Sequence, residues 1–438
     1  MAAGAFSHMH VRAVAERPGG DRGRRMSDLK TAAREAWLYA LPLIEIATTR
    51  ARGQALGHRM GVLAHVRNLA TPKHRAVTTP NNDTLYSTAQ LDLSAGPVTL
   101  TLPASGDRYL SVALMDAYSN NFAVLGTRTT GPDGGIFRLL GPREAWDGAG
   151  DIIRAPTEHV WALARILVDG PHDLEAAREA QGGLSIQGPA CDAPGPFAAR
   201  SAPWPEYFAS AAALMAANPP PATDRAILRR MAPLGLMGGF DPGRFSPAEA
   251  AEIEAGVGEA RQAARRGGLG GVDFVQGWSY PSPRLGDFDQ DYGLRASVAL
   301  GGLAALPPAE AMYMRAEGNL PGHLFDGAKT WRLSFPADGR LPVDAFWSLS
   351  LYEATPEGQF FFADNPIDRY AIGDRTPGLA HNPDGSLDIW IGHLDPGADR
   401  RGNWLPAPAG PFALFMRAYL PKPELLEGAY RLPAIVEA

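Results

Sequence analysis

The sequence predicts a mainly β chain with a helical middle, and three observations carry that expectation. Leu85, Ser87, Ala89, Leu91 and Leu93 alternate with Tyr86, Thr88, Gln90 and Asp92, the period-two signature of a strand with two unlike faces. A second alternation near the C-terminus sets Ala345, Trp347, Leu349 and Leu351 against Phe346, Ser348, Ser350 and Tyr352. Glycine and proline, 49 and 39 of 438 residues, are dense enough to place turns between many short elements. Short strands with frequent turns point to a sandwich or barrel.

The elements follow in order. A helix is expected from Asp28 to Arg52, capped by Ser27 or Asp28 and carrying Ala33, Trp37, Leu38, Ala40 and Leu41, with Pro42 expected to kink or divide it. After the strand at Leu85 come strands at 97–102, 108–116, 136–140 and 158–168, separated by turns such as Ser105-Gly106-Asp107. Helical patterns then occupy 204–217, 223–231 and 247–266. The last opens on Ser246-Pro247-Ala248-Glu249, a serine cap with a glutamate placed to complete a capping box, and it stops at Gly267-Gly268. A further helix is expected from Tyr292 to Ala304. Strands return around Trp331-Leu333-Phe335, at 345–352, 387–392 and 412–420.

Composition narrows the function classes. Hydrophobic residues at 45% and charged residues at 20% fit an ordinary globular chain. The single cysteine, Cys191, rules out an intrachain disulfide and a cysteine-built zinc site. A net charge of −6 argues against a broad nucleic-acid surface. No apolar run reaches the ~18 residues of a membrane span. Residues 1–25 hold five arginines and two acids without the apolar stretch of a signal peptide, so they are read as a disordered tail or a start placed too early, and a cytoplasmic location is expected. The G-x-S-x-G elbow, the H-E-x-x-H helix and the phosphate-binding P-loop are absent from the sequence. Asp287, Asp289 and Asp291 begin like a calcium loop, but Tyr292 and Val298 stand where the loop glycine and bidentate glutamate belong.

Three polar clusters carry the remaining chemistry. Thr79 to Ser87 brings Asn81, Asn82, Asp83 and Tyr86 together. Their side chains either fix a loop by bonding neighbouring backbone or project into a cavity as acid/base and orienting groups. Asp116 to Asn121 places Asp116 at the end of the apolar row Leu110, Val112 and Leu114, where a buried carboxylate needs a partner. Arg108 and Arg128 are the candidates. Asp364 to Arg375 is an Asp/Arg-rich loop, either a salt-bridge network or a place where Arg369 or Arg375 clamps a carboxylate. Trp347, Trp390 and Trp404 either pack in a core or line a pocket.

These residues resemble a known family pair. From Trp37 to Leu167 the chain is similar to bacterial domain-of-unknown-function family 1254, on Thr79 to Ser87, Gly106-Asp107-Arg108-Tyr109, Asp116 to Phe122 and Gly126-Thr127-Arg128. From Gly271 onward it resembles family 1214, on Pro342 to Leu349, Asp364-Asn365-Pro366, Arg369 to Arg375 and Asn403 to Pro408. The resemblance implies two jelly-roll-like β-sandwich domains with helical N-terminal and linker segments. The expected division is a tail over 1–26, an N-terminal sandwich with its leading helix over 27–180, a mainly helical linker over 181–270 and a C-terminal sandwich over 271–438.

The functional expectation is an enzyme acting on a small organic molecule by general acid/base chemistry, of hydrolase or lyase type, in a cleft between the sandwiches. Asp83 is the expected base and Tyr86 or Tyr118 the acid, with Asp116 as a further catalytic candidate. Asn81, Asn82, Asn120 and Asn121 would orient substrate, Arg369 or Arg375 would take an anionic group, and Trp347 and Trp404 would line the site. The alternatives are a carbohydrate- or aromatic-metabolite-binding protein without catalysis and purely structural corners joining the domains. No cofactor and no metal are expected. The expected partners are a small-molecule substrate or ligand rather than nucleic acid or membrane, and a homo-oligomer is left open.

Overall fold

The computed structural model describes residues 18–267, 273–316, 320 and 322–438. Most of the expected tail, and the expected boundary at 270/271, lie outside the described residues. Helix α1, Pro18–Ala55, opens the described chain. It starts ten residues before the expected cap, because a proline in the first turn suits a helix start and because α1 lies along a second helix. Arg25 and Lys30 pair with Glu249 and Glu259 of that neighbour at 2.8 and 2.7 Å. The helix runs through Pro42 without dividing, its flanks Leu41, Leu43 and Ile44 all buried.

The N-terminal sandwich comprises β1 (Ala64–Val66), β2 (Thr84–Asp92), β3 (Val98–Leu102), β4 (Leu110–Asp116), β5 (Asn121–Gly126), β6 (Gly135–Leu140), β7 (Asp151–Arg154), β8 (His159–Leu167), helix α2 (Leu174–Gly182) and β9 (Ser185–Gln187). One sheet runs β1-β2-β8-β4-β5 and the other β7-β6-β3-β9. Leu85, Ala89 and Leu91 of β2 meet Leu100, Leu110, Leu114 and Leu139 in the core between them, as the alternation requires. Strand β5 was not expected, because Asn120 and Asn121 hid its start inside a polar cluster.

Helices α3 (Trp204–Ala217), α4 (Arg225–Met231) and α5 (Pro247–Gly267) follow at nearly their expected bounds. The capping box forms: the Glu249 carboxylate accepts the Ser246 amide at 2.9 Å. With α1 and α6 (Tyr292–Gly301) they share one apolar core, in which Trp37 stacks on Tyr207 with ring centroids 5.5 Å apart. Gly256 lets α5 approach α1 closely, since a Cβ there would sit 2.2 Å from the Lys30 carbonyl oxygen. The linker helices therefore form one helical layer together with α1 and α6.

The C-terminal sandwich comprises β10 (Asp273–Val275), β11 (Trp278–Tyr280), β12 (Ala311–Ala316), β13 (Phe325–Asp326), β14 (Trp331–Phe335), β15 (Val343–Ala354), β16 (Phe360–Phe361), β17 (Ala371–Gly373), β18 (Leu387–Gly392), β19 (Trp404–Pro406), β20 (Pro411–Pro421), α7 (Pro423–Leu426) and β21 (Ile435–Glu437). Its large sheet runs β10-β11-β12-β20-β15-β16, with β13 on β20 and β17 on β15; its small sheet runs β19-β18-β14-β21. Both units are jelly-roll-like sandwiches, so the chain is the β-rich fold that the sequence predicts, with an added helical layer.

One feature positions the site. Every residue of β8 is buried, and all of β20 except Pro411. A strand in a two-sheet sandwich normally keeps one face wet. Here the outer face of the five-stranded sheet lies against the outer face of the large C-terminal sheet, so Tyr109, Ala113 and Leu167 pack with Phe346 and Tyr419. The other half of the same face, Met115, Trp161 and Leu163, is covered by Ile46 of α1 and by Ala304. The two coverings meet at a seam.

Candidate functional site

The seam is built from two facing rows of side chains. Pairing across the five-stranded sheet aligns Tyr86 of β2, Arg165 of β8 and Ser111 of β4. Pairing across the large C-terminal sheet aligns Tyr313 of β12, Arg417 of β20 and Ser348 of β15. Each row thus sets an arginine between a tyrosine and a serine. Both arginines are 5% exposed, deep enough that an unpaired guanidinium would be costly.

The two are answered differently. Arg417 donates to Ser350 Oγ at 2.6 Å and to the Thr79 carbonyl at 3.0 Å. Beside it, Asp83 accepts from the Ser348 hydroxyl at 2.6 Å and from Arg375 Nη2 at 3.3 Å. Arg375 also donates to the Val168 carbonyl at 2.9 Å and lies over the Phe346 ring, 4.2 Å from its centroid. Asn81 donates to the Tyr419 hydroxyl at 2.7 Å and accepts the Asp83 amide at 2.6 Å, while Tyr352 donates to the Pro80 carbonyl at 2.6 Å. Burial and the Asp83 charge hold the Tyr419 hydroxyl well above its ordinary pKa, so it stays protonated. The Thr79–Asp83 segment is thereby tied to the C-terminal sandwich at every turn, and Asn82 sits half-buried within it.

Arg165 has far less. Its Nη2 donates to the Ala304 carbonyl at 2.9 Å and its guanidinium lies over the Tyr86 ring, 5.4 Å from the centroid. Its Nη1 is buried without a hydrogen-bond partner. Among the described residues no carboxylate lies within ion-pair distance of it. Tyr86, Tyr313, Tyr109 and Tyr419 surround it within electrostatic reach. A short chain approaches from the Ser111 side: Tyr109 donates to buried Glu310 at 2.8 Å, Ser111 Oγ lies 3.0 Å from the same phenol oxygen, and Arg128 holds the other Glu310 oxygen at 2.6 Å. Burial, then the Glu310 charge, raises the Tyr109 pKa.

Of the residues that sequence singles out, Asn81, Asn82, Asp83, Tyr86 and Arg375 come to this interface, and the others go elsewhere. Asp116 closes the β4–β5 turn, accepting the Tyr118 and Asn120 amides at 2.9 Å each and the Asn120 side chain at 3.0 Å. Burial raises its pKa against these bonds. It lies seven β8 residues from the Asp83 end of the sheet, on the order of 20 Å at strand rise. Neither Arg108 nor Arg128 is its partner: Arg108 pairs with Asp173 at 2.7 Å and Arg128 with Glu310. Tyr118 points into the helical layer and donates to the Asn218 carbonyl at 2.8 Å. Asn121 donates to the Gly286 and Ala305 carbonyls at 2.9 and 3.0 Å, pinning that segment to the sheet.

Arg369 clamps its own unit, donating to the Gly402 and Trp404 carbonyls at 3.0 and 2.7 Å. Trp347 packs inside the C-terminal core against Phe335, and Trp404 is buried with its indole donating to the Gly392 carbonyl at 2.9 Å, so neither lines the seam. Arg165, Arg417, Ser111, Ser348, Tyr313 and Tyr419 were not singled out. A signal existed for the arginines: each is the one charge in a strand that otherwise reads as apolar, His159–Leu167 and Pro411–Pro421. Among the described residues no group of three or more His, Cys, Asp or Glu side chains is placed to hold a metal ion, and no helix is long and apolar enough to cross a membrane.

Comparison with known proteins adds the family and the fold. Residues 60–188 match the model of the family described as protein of unknown function DUF1254, and residues 310–423 match that of DUF1214. The crystal structure of the VPA0106 protein from Vibrio parahaemolyticus is similar at a TM-score of 0.71 and 21% identity, over 94% of this chain and 100% of that one. A putative uncharacterized protein from Burkholderia cenocepacia aligns over 96% of this chain and 97% of its own at 14% identity and a TM-score of 0.43. No curated protein matches the sequence.

Proposed function

We propose that this chain, which belongs to the DUF1254 and DUF1214 families, binds a small organic molecule at the seam between its sandwiches, with Arg165 as the anchoring group. The single observation that supports this reading is the buried Arg165 Nη1 without a partner and without a carboxylate in ion-pair distance. An unanswered guanidinium works against stability, because desolvating it costs several kcal/mol, on the order of what a buried ion loses after relaxation. A ligand acceptor atom would complete its hydrogen bonding. Tyr86 and Tyr313 are half-buried beside it and supply aromatic walls.

The reading is tested by urea unfolding of the full chain with Arg165→Met. If Arg165 is kept for a ligand, the variant equals the wild type or exceeds it by up to about 2 kcal/mol, since a destabilising buried charge has been replaced by an apolar chain. A loss of about 3 kcal/mol or more makes Arg165 a structural residue and ends the proposal.

A general acid/base enzyme at the same seam, hydrolase or lyase in type, is the second reading. What favours it is the Ser111–Tyr109–Glu310 chain, which offers a hydroxyl beside Arg165 linked to a buried carboxylate. Asp83 suits the role of base less well, because Ser348 and Arg375 already occupy both its oxygens.

A further inference from the structure

We infer that the group taken at the seam is a single carboxylate on a small planar body, an assignment that rests on the reading of Arg165 as a ligand anchor. Three observations select that class.

The first is the number of donors. Arg165 has one terminal nitrogen, Nη1, with no hydrogen bond at all, while Nη2 gives one of its N–H groups to the Ala304 carbonyl. The Tyr86 hydroxyl makes no hydrogen bond among the described residues and is half-buried, so it is the second donor at hand. Two donors suit the two oxygens of a carboxylate. A phosphate group, with three terminal oxygens, would have more acceptor oxygens than these two donor atoms can meet.

The second is charge. Every other ionised group at this interface has its own partner: Arg375 holds Asp83, and Arg128 holds Glu310. Arg417 is satisfied by Ser350 and the Thr79 carbonyl, with the Asp83 charge nearby. Arg165 remains with no carboxylate of its own, so the seam carries an excess of positive charge that an anion would balance. A cation would be repelled, and a neutral amide would leave the guanidinium charge uncompensated.

The third is the shape of the walls. Arg165 lies over the face of Tyr86, and Tyr313 stands in the opposite row. A carboxylate meeting the guanidinium edge would direct its carbon skeleton between these rings. A flat unsaturated or aromatic skeleton loses little conformational freedom there and gains ring contact.

The test uses the full chain and four probes: benzoate, benzamide, acetate and inorganic phosphate, each followed by calorimetric titration and by the shift in thermal midpoint. Benzoate is expected to bind with a Kd of about millimolar or tighter and to raise the midpoint, acetate to bind more weakly, and benzamide and phosphate to show neither effect. Arg165→Gln is expected to weaken benzoate binding at least about tenfold. Tyr86→Phe, which keeps the ring and removes the donor, is a second variant with a smaller expected loss.

Benzamide binding as well as benzoate, or phosphate binding in preference, overturns the carboxylate assignment while leaving the seam as a binding site. Benzoate binding that survives Arg165→Gln unchanged overturns it as well. No binding by any probe also overturns the assignment, and the anchor reading then stands or falls on the stability of Arg165→Met.

Discussion

The interface between the sandwiches holds two polar regions that differ in one respect. Around Asp83 each charge and hydroxyl has a partner across the interface: Ser348 and Arg375 on Asp83, Tyr419 on Asn81, Tyr352 on the Pro80 carbonyl. Around Arg165 a guanidinium of equal burial is left with one nitrogen unanswered. The same surfaces, buried to the same depth, thus give the Arg375 guanidinium a carboxylate, with only its Nε left unbonded, and give Arg165 none. Burial of a charge marks neither structure nor function by itself; what separates the two is whether the charge meets a counter-charge within the chain.

That contrast can be broken experimentally. The largest effect is expected at Asp83: Asp83→Asn keeps the shape but leaves Arg375 without its buried counter-charge, and should cost about 3–5 kcal/mol in urea unfolding. A neutral result would mean that the Asp83 region is no more structural than the Arg165 region, and the two would lose their distinction. Arg165→Met lies at the other end, with no loss or a gain. Tyr352→Phe should sit between, losing about 1 kcal/mol for one hydroxyl-to-carbonyl bond.

The smallest and most specific effect is expected from pH. Burial pushes the Asp374 carboxyl up to about 6 despite the opposing Arg375. A carboxyl whose folded-state pKa is raised keeps its proton in the fold while the unfolded chain releases it. Its contribution to stability is therefore present at low pH and is lost as pH rises from 3.8 through about 6. Asp374→Asn, which cannot ionise, should be more stable than the wild type at pH 7 and lose that advantage near pH 4. An advantage that does not change with pH would remove Asp374 as its source.

Much of this interface was legible as pattern and little of it as place. The period-two alternation of 345–352 separates Trp347, Leu349 and Leu351, which enter the C-terminal core, from Phe346, Ser348, Ser350 and Tyr352 on the reverse face. Alternation cannot say whether that reverse face meets water or a second sandwich, because both tolerate serine and tyrosine. Asp83 and Arg375 were chosen for their chemistry and do meet, 3.3 Å apart. Asp116, Tyr118 and Asn120 were chosen on the same grounds and form a tight turn. A carboxylate that accepts nearby amides and one that reaches across domains look alike in a one-dimensional string. Arg165 is hidden in the sequence because its neighbours Ala164 and Ile166 make the segment read as core.

The ties that hold Pro80, Asn81 and Asp83 have a consequence for how the chain is made. Their partners Tyr352, Tyr419 and Ser348 lie 272, 338 and 265 residues away. On a growing polypeptide, the first sandwich emerges long before β20 exists. Until then Tyr109, Ala113 and Leu167 have no C-terminal sheet beside them, and Asp83 has neither hydroxyl nor guanidinium to meet. Closure of such distant pairs is slow, and apolar strand faces left bare in the interval invite association between nascent chains. Synthesised without its C-terminal partner, the first sandwich would carry that bare face permanently, so the two sandwiches depend on each other as parts of one folding unit.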